Sequence, residues 1–123
     1  MARPPSNPGP VFSWHRLHGD LIFTSGHAAV DVDTLARTPG DLLDETRATL
    51  ENLARTLQAA GSSLERVVKV TVYMTDMGQY GAFNRVYAEF FHGPQVPART
   101  CVEVSRLPYN FKVEIEAVAT VGG

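Results

Sequence analysis

Cysteine is nearly missing from this sequence. A single one, Cys101, stands among 123 residues, so neither an intrachain disulfide nor a cysteine-built metal site can form. There is no HExxH or CxxC motif, and His15, His18, His27 and His92 fit no standard zinc spacing. The glycines are scattered singly, which leaves no glycine-rich phosphate loop. Charge of one sign is also lacking. Eleven Lys and Arg face thirteen Asp and Glu, for a net charge of -2. Binding to a nucleic-acid backbone or an anionic membrane surface needs a basic excess that is absent here. No apolar run approaches the roughly 20 residues of a membrane helix. The N-terminal stretch has no apolar core of a signal peptide. These absences predict a cytoplasmic chain that uses no metal and has no nucleic-acid or membrane partner.

What is present is ordinary for a globular chain: 44% hydrophobic and 20% charged residues. The length predicts one domain over 1–123. Pro4, Pro5, Pro8 and Pro10 make 1–10 an irregular arm. Strands are expected at 11–17 and 21–26, joined by the His18-Gly19-Asp20 turn, with the second strand central because it is apolar on both faces. Residues 27–40 read as a loop. Asp41 is a good N-cap, and Leu43, Thr46, Leu50, Leu53, Leu57 and Ala60 recur at helical spacing, so a helix spans 41–60 and ends at Gly61.

Strict alternation over 66–74 predicts a strand, aromatics at helical spacing over 79–91 a second helix, and renewed alternation over 100–104 and 112–120 two more strands. The order β-β-α-β-α-β-β predicts an α+β fold with both helices on one face of a mixed sheet. The other face, expected to carry Val67, Thr71, Tyr73, Cys101 and Glu103, then lacks intrachain cover and points to self-association.

The residues alone single out few chemical groups. A strand cysteine such as Cys101 is ordinarily a small buried hydrophobe. His27 stands apart from the other histidines because it follows Ser25-Gly26 at a strand end. Arg99, in Pro97-Ala98-Arg99-Thr100-Cys101, could clamp a carboxylate through two parallel hydrogen bonds, or make a surface salt bridge. Glu114 and Glu116 lie on the non-core face of the last strand. By default they are solvated; against a neighbouring subunit one could be tuned for proton transfer. Asn84 reads as solvated, and Tyr80, Phe83, Tyr87, Phe90 and Phe91 as core.

Several segments together resemble a known family. They are the Ser25-Gly26 strand end, Asn52-Leu53 with Ala60-Gly61, the strand Val67-Val68-Lys69-Val70-Thr71-Val72-Tyr73 before Asp76-Met77, and Asn84-Arg85-Val86-Tyr87 with Phe90-Phe91. The most specific is PARTCVEVSRLPYNFKVEIEAVA, from Pro97 to Ala119. By this run the chain is identified as a member of the YjgF/RidA family of enamine/imine deaminases, also labelled L-PSP endoribonucleases, over about residues 9–120.

The resemblance implies a chorismate-mutase-like fold and a homotrimer with ligand clefts between subunits. It implies hydrolysis of 2-aminoacrylate-type enamines and imines to 2-keto acids and ammonia without a cofactor. It places the carboxylate-binding arginine on Arg99 and the acidic residue on Glu114. Cys101, Ser25, Gly26 and Asn84 fall on the family's other cleft positions. Phe12 stands where the family commonly has a cleft tyrosine, and His27 where it has glutamine, so the pocket wall is expected to differ and to suit a bulkier substrate. Glu114 and Cys101 are expected to point into the cleft from adjacent strands. Two other functions compete: a regulatory trimer that binds small carboxylates without turnover, and an endoribonuclease, against which the acidic balance argues.

Overall fold

The computed structural model describes residues 8, 9 and 11–122. Nearly all of the proline-rich arm expected at 1–10 therefore lies outside the described residues. Five strands and two helices follow in chain order: β1 (His15–His18), β2 (Leu21–Thr24), α1 (Leu42–Ala59), β3 (Val67–Met74), α2 (Tyr80–Phe90), β4 (Ala98–Glu103) and β5 (Val113–Thr120). The sheet order is β1-β2-β5-β3-β4. Only β3 and β4 run parallel. A parallel pair needs a crossover, and α2 supplies it. The fold is the expected α+β arrangement, with both helices against one face of a mixed sheet. β2 is paired on both sides as expected, but the middle place belongs to β5.

Local chemistry sets the ends of α1. The Asp41 carboxylate accepts from the backbone N–H of Asp44 at 2.8 Å, satisfying one of the orphan donors of the first turn. At the other end Gly61 takes φ +88, donates to Gln58 O at 3.1 Å, and lets Ser62 donate to Leu57 O at 2.8 Å. This pair of bonds is a Schellman closure, which needs a left-handed residue at the position glycine fills. The buried stripe of α1 is Leu42, Thr46, Thr49, Leu50, Leu53, Thr56 and Leu57. Leu43, expected within it, is 38% exposed, because the helix turns Leu42 inward instead.

The helices lie on Ile22, Val70, Val72, Met74, Val113, Ile115, Ala117 and Ala119, which form one core with Leu50, Leu53, Leu57, Phe83, Tyr87 and Phe91. Truncating a fully buried leucine such as Leu53 to alanine should cost about 2–5 kcal/mol. Glu45 is fully buried at the edge of this core. Its carboxylate accepts from Lys112 N at 2.7 Å and Gly40 N at 3.2 Å. Those bonds join the start of α1 to the chain entering β5.

Strand register decides which face each later site residue occupies, and it corrects three expectations. The pairing of β3 with β5 slips between Val67 and Lys69. This bulge turns Val67 into the core and leaves Val68 48% exposed, reversing the simple alternation. Cys101 lies opposite Val72 and Glu103 opposite Met74, so both share the helix-covered face. The uncovered face holds Thr71, Tyr73, Val102, Glu114 and Glu116, with Phe23 43% exposed beside them.

Candidate functional site

The candidate site residues fall into two groups on opposite faces of the sheet. The first surrounds Glu114. Beside it opens a cavity of about 680 Å³. Ser25, Gly26 and Glu114 line its floor, Phe12 and Trp14 one wall, and Tyr109 and Phe111 another. Alternation along β5 sends Val113 and Ile115 into the core and Glu114 the other way. Gly26 makes room for it. A Cβ on Gly26 would lie 2.6 Å from Glu114 Cδ and 2.9 Å from its Cγ, so a side chain there would expel the carboxylate. Burial, and next the neighbouring Glu116 carboxylate, raise the Glu114 carboxyl above its ordinary value. Both effects penalise the charged form. Such a carboxyl exchanges a proton nearer neutral pH than a solvated one.

The Ser25 hydroxyl donates to Ser13 O at 2.5 Å, and its backbone N–H donates to Trp14 O at 2.9 Å. Ser25 therefore ties the segment before β1 to the cavity floor. His27 is not a wall residue, contrary to the expectation. It is 1% exposed, packed under Trp14 with ring centroids 4.9 Å apart. Its Nδ1 lies 2.9 Å from Ser25 O and its Nε2 2.8 Å from Thr56 Oγ1. A carbonyl can only accept, so Nδ1 carries the proton and Nε2 accepts from the threonine hydroxyl. Burial lowers the pKa of His27 to about 4, partly offset by the Ser25 carbonyl. The neutral ring thus braces the cavity floor from behind.

The second group surrounds Arg99. It pairs with Val70 across β3–β4 and so points toward α2. Nη1 donates to Asn84 Oδ1 at 2.8 Å and Nη2 to Tyr80 Oη at 2.6 Å. The guanidinium carbon sits 4.7 Å from the centroid of the Tyr87 ring, with Phe83 and Tyr80 also within cation–π range. Among the described residues Arg99 has no carboxylate partner, which sets aside the surface salt bridge. Asn84 is not merely solvated; it aims the cation. Tyr80, read from the sequence as core, is 40% exposed and does the same. Cys101 sits beside this cation, with Sγ 3.6 Å from Met74 Sδ. Burial raises its thiol and Arg99 opposes that, so the thiol form dominates at neutral pH.

Glu114 and Cys101 are therefore not on adjacent strands of one face. β3 separates β5 from β4, and the two side chains leave opposite faces. Phe12, Ser25 and Gly26 gather with Glu114, whereas Asn84 and Cys101 gather with Arg99. Reasoning from the sequence missed Trp14, Tyr109 and Phe111 as cavity walls. A tyrosine inside the Pro108-Tyr109-Asn110 turn, where Gly, Pro, Asn, Asp and Ser are the usual residues, was the available signal. Among the described residues no three His, Cys, Asp or Glu side chains converge to hold a metal. Nor is any helix long and apolar enough to cross a membrane.

The fold and these two groups define a small α+β protein with a carboxyl in an aromatic cavity and an unpaired guanidinium behind the sheet. The endoribonuclease L-PSP family model matches residues 7–121, and the chain belongs to that family, which is the YjgF/RidA group. RutC family protein PH0854 of Pyrococcus horikoshii is 48% identical over 101 residues, which cover 82% of this chain and 79% of that protein. TdcF of Escherichia coli, provisionally named a reactive intermediate deaminase, is 42% identical over 103 residues, covering 82% and 79%. The crystal structure of E. coli TdcF with bound serine matches with a TM-score of 0.85 and 38% identity over 98% of this chain and 94% of that one. YyfA of Yersinia pestis, described as of the conserved Rid protein family, matches with a TM-score of 0.88 and 35% identity over 96% and 93%.

Proposed function

We propose that the protein is a cofactor-free hydrolytic deaminase of reactive enamine and imine intermediates of the 2-aminoacrylate type. It works in the cytoplasm as a homotrimer whose clefts lie between subunits. The observation that carries this reading is the separation of Arg99 and Glu114. Among the described residues neither makes an ion pair, and one sheet holds them on opposite faces. A second copy packed on the uncovered face brings its arginine to the first copy's carboxyl. The family resemblance supports this assembly, and the relatedness to TdcF supports the reaction class.

In this site the substrate carboxylate lies on the Arg99 fork, whose direction Asn84 and Tyr80 maintain. The enamine tautomerises to the imine. Glu114 holds a water and takes a proton from it as oxygen adds to the C=N carbon. The proton passes to nitrogen to give a carbinolamine. Glu114 then takes the carbinolamine hydroxyl proton and delivers it to nitrogen as the C=O bond forms and the C–N bond breaks, and a 2-keto acid and ammonia leave. Cys101 takes no covalent part. The bound serine of TdcF favours one second reading, a trimer that holds small carboxylates without turnover.

The test generates imines with an amino-acid oxidase and traps them with semicarbazide. Deamination shows as loss of semicarbazone in proportion to added protein, alongside a trimer mass in light scattering. Binding of a 2-keto acid with no effect on the trap would favour the non-catalytic reading. A monomer at micromolar concentration would remove the composite cleft.

A further inference from the structure

The cavity is far larger than a three-carbon imino acid needs; it falls in the range that encloses drug-sized molecules. Its walls are aromatic on both sides. Phe12 meets Trp14 edge to face at 5.5 Å, and Tyr109 meets Phe111 edge to face at 6.3 Å. Arg37 lies over the Tyr109 ring, 4.1 Å from its centroid, and holds that ring at the rim. Tyr109 is nevertheless 69% exposed and Phe12 46% exposed. The rim backbone is strained as well. Leu35 and Tyr109 line the cavity with φ of 66 and 57, and Asn110 follows with φ of 61. Left-handed conformations are costly for leucine and tyrosine, and such strain persists where it positions a group. Here it presents a large ring over the mouth of a cavity that has Glu114 on its floor.

Resting on the deaminase reading, we propose that this slot selects 2-imino acids with an aromatic side chain, phenyl or indole, over small ones. The side chain slides between the Phe12–Trp14 and Tyr109–Phe111 walls, where offset and edge-to-face contacts are favourable. The imine carbon then meets Glu114. An acidic side chain could meet Arg37 at the rim, but deeper in the slot it would approach Glu114 with Glu116 beside it, so the aromatic side chain is preferred.

The experiment compares kcat/KM for the imines of phenylalanine, alanine and glutamate in the trapping assay, with wild type, Tyr109→Ala and Phe12→Ala. Wild type is expected to prefer the phenylalanine imine by about tenfold or more over the alanine imine, the scale that apolar pockets reach. Either variant is expected to lower the phenylalanine value more than the alanine value and narrow the ratio, with the trimer mass unchanged. Equal rates for all three imines would overturn the selectivity and leave the deaminase standing. Preference for the glutamate imine would overturn it in favour of Arg37 as a ligand. A change of assembly in both variants would make the rim a subunit contact. No turnover of any imine would instead defeat the deaminase reading on which this rests.

Discussion

The Glu114 cavity and the Arg99 cradle are built on opposite principles. Around Glu114 the protein removes water and supplies a like charge, so the carboxyl is pushed toward its neutral form. Around Arg99 it supplies neutral acceptors and ring faces, and no carboxylate among the described residues. Elsewhere Arg47 pairs with Glu89, Arg55 with Asp33 and Lys112 with Glu45. Those pairs serve docking of helices and loops. Neither Arg99 nor Glu114 joins such a pair among the described residues, and the two leave opposite faces of the sheet.

The largest effects should come from breaking either half. Arg99→Ala is expected to lower kcat/KM for imine hydrolysis by about a hundredfold or more, and Arg99→Lys to rescue little, because an ammonium cannot reproduce a two-point clamp. Glu114→Gln is expected to keep 2-keto-acid binding, measured by calorimetry, while losing about a hundredfold or more in kcat. Full activity in either variant would remove that residue from the site. The two variants also test the separation itself. Unfolded together and refolded as mixed trimers, they should regain about a quarter of wild-type activity, since a random quarter of clefts pairs an intact arginine with an intact glutamate from neighbouring copies. No recovery in mixed trimers of the correct mass would place both groups in one copy's site.

A smaller effect sharpens the cavity side. His27 is neutral in the folded protein, with its pKa lowered to about 4, against about 6.5 when unfolded. As pH falls through 6.5 the unfolded chain takes up a proton that the folded chain refuses. Stability contributed by the neutral ring is thus full above pH 6.5 and is lost progressively down to about pH 4, on the order of 3 kcal/mol in all. Denaturant unfolding at pH 7 and pH 5 should show this loss, and His27→Gln should flatten it. An unchanged pH profile in that variant would assign the acid sensitivity to other groups. The smallest effect is expected on the Arg99 side from Cys101→Ser. Its thiol pKa is raised by burial, and water is the nucleophile, so turnover should change by no more than a few fold. A covalent adduct on Cys101 during turnover would reverse that ranking.

Much of this molecule was legible because its signals are local. Asp41 and Gly61 bound α1 through bonds made within one turn. The alternation of Val113 to Ala119 assigned Glu114 to the outer face before any neighbour was known. The failures came where a side chain's partner is distant in sequence. Alternation alone put Val67 outside, and a slip against Ala119 and Val118 brought it in. His27 looked like a wall residue until Thr56 and Trp14, on other segments, closed over it. Asn84 and Tyr80 looked idle until the parallel β3–β4 crossover laid α2 across Arg99.

By itself the sequence determined the element order, the helix ends, the family and the residue types able to bind a carboxylate and move a proton, because periodicity, capping and motif spacing are properties of the chain. Only the tertiary structure decided that Arg99 and Glu114 leave opposite faces of the sheet, two strands apart, and that four aromatic rings line the cavity beside the carboxyl. Strand order and register are set by which side chains pack across the core, and that choice depends on contacts between residues dozens of positions apart.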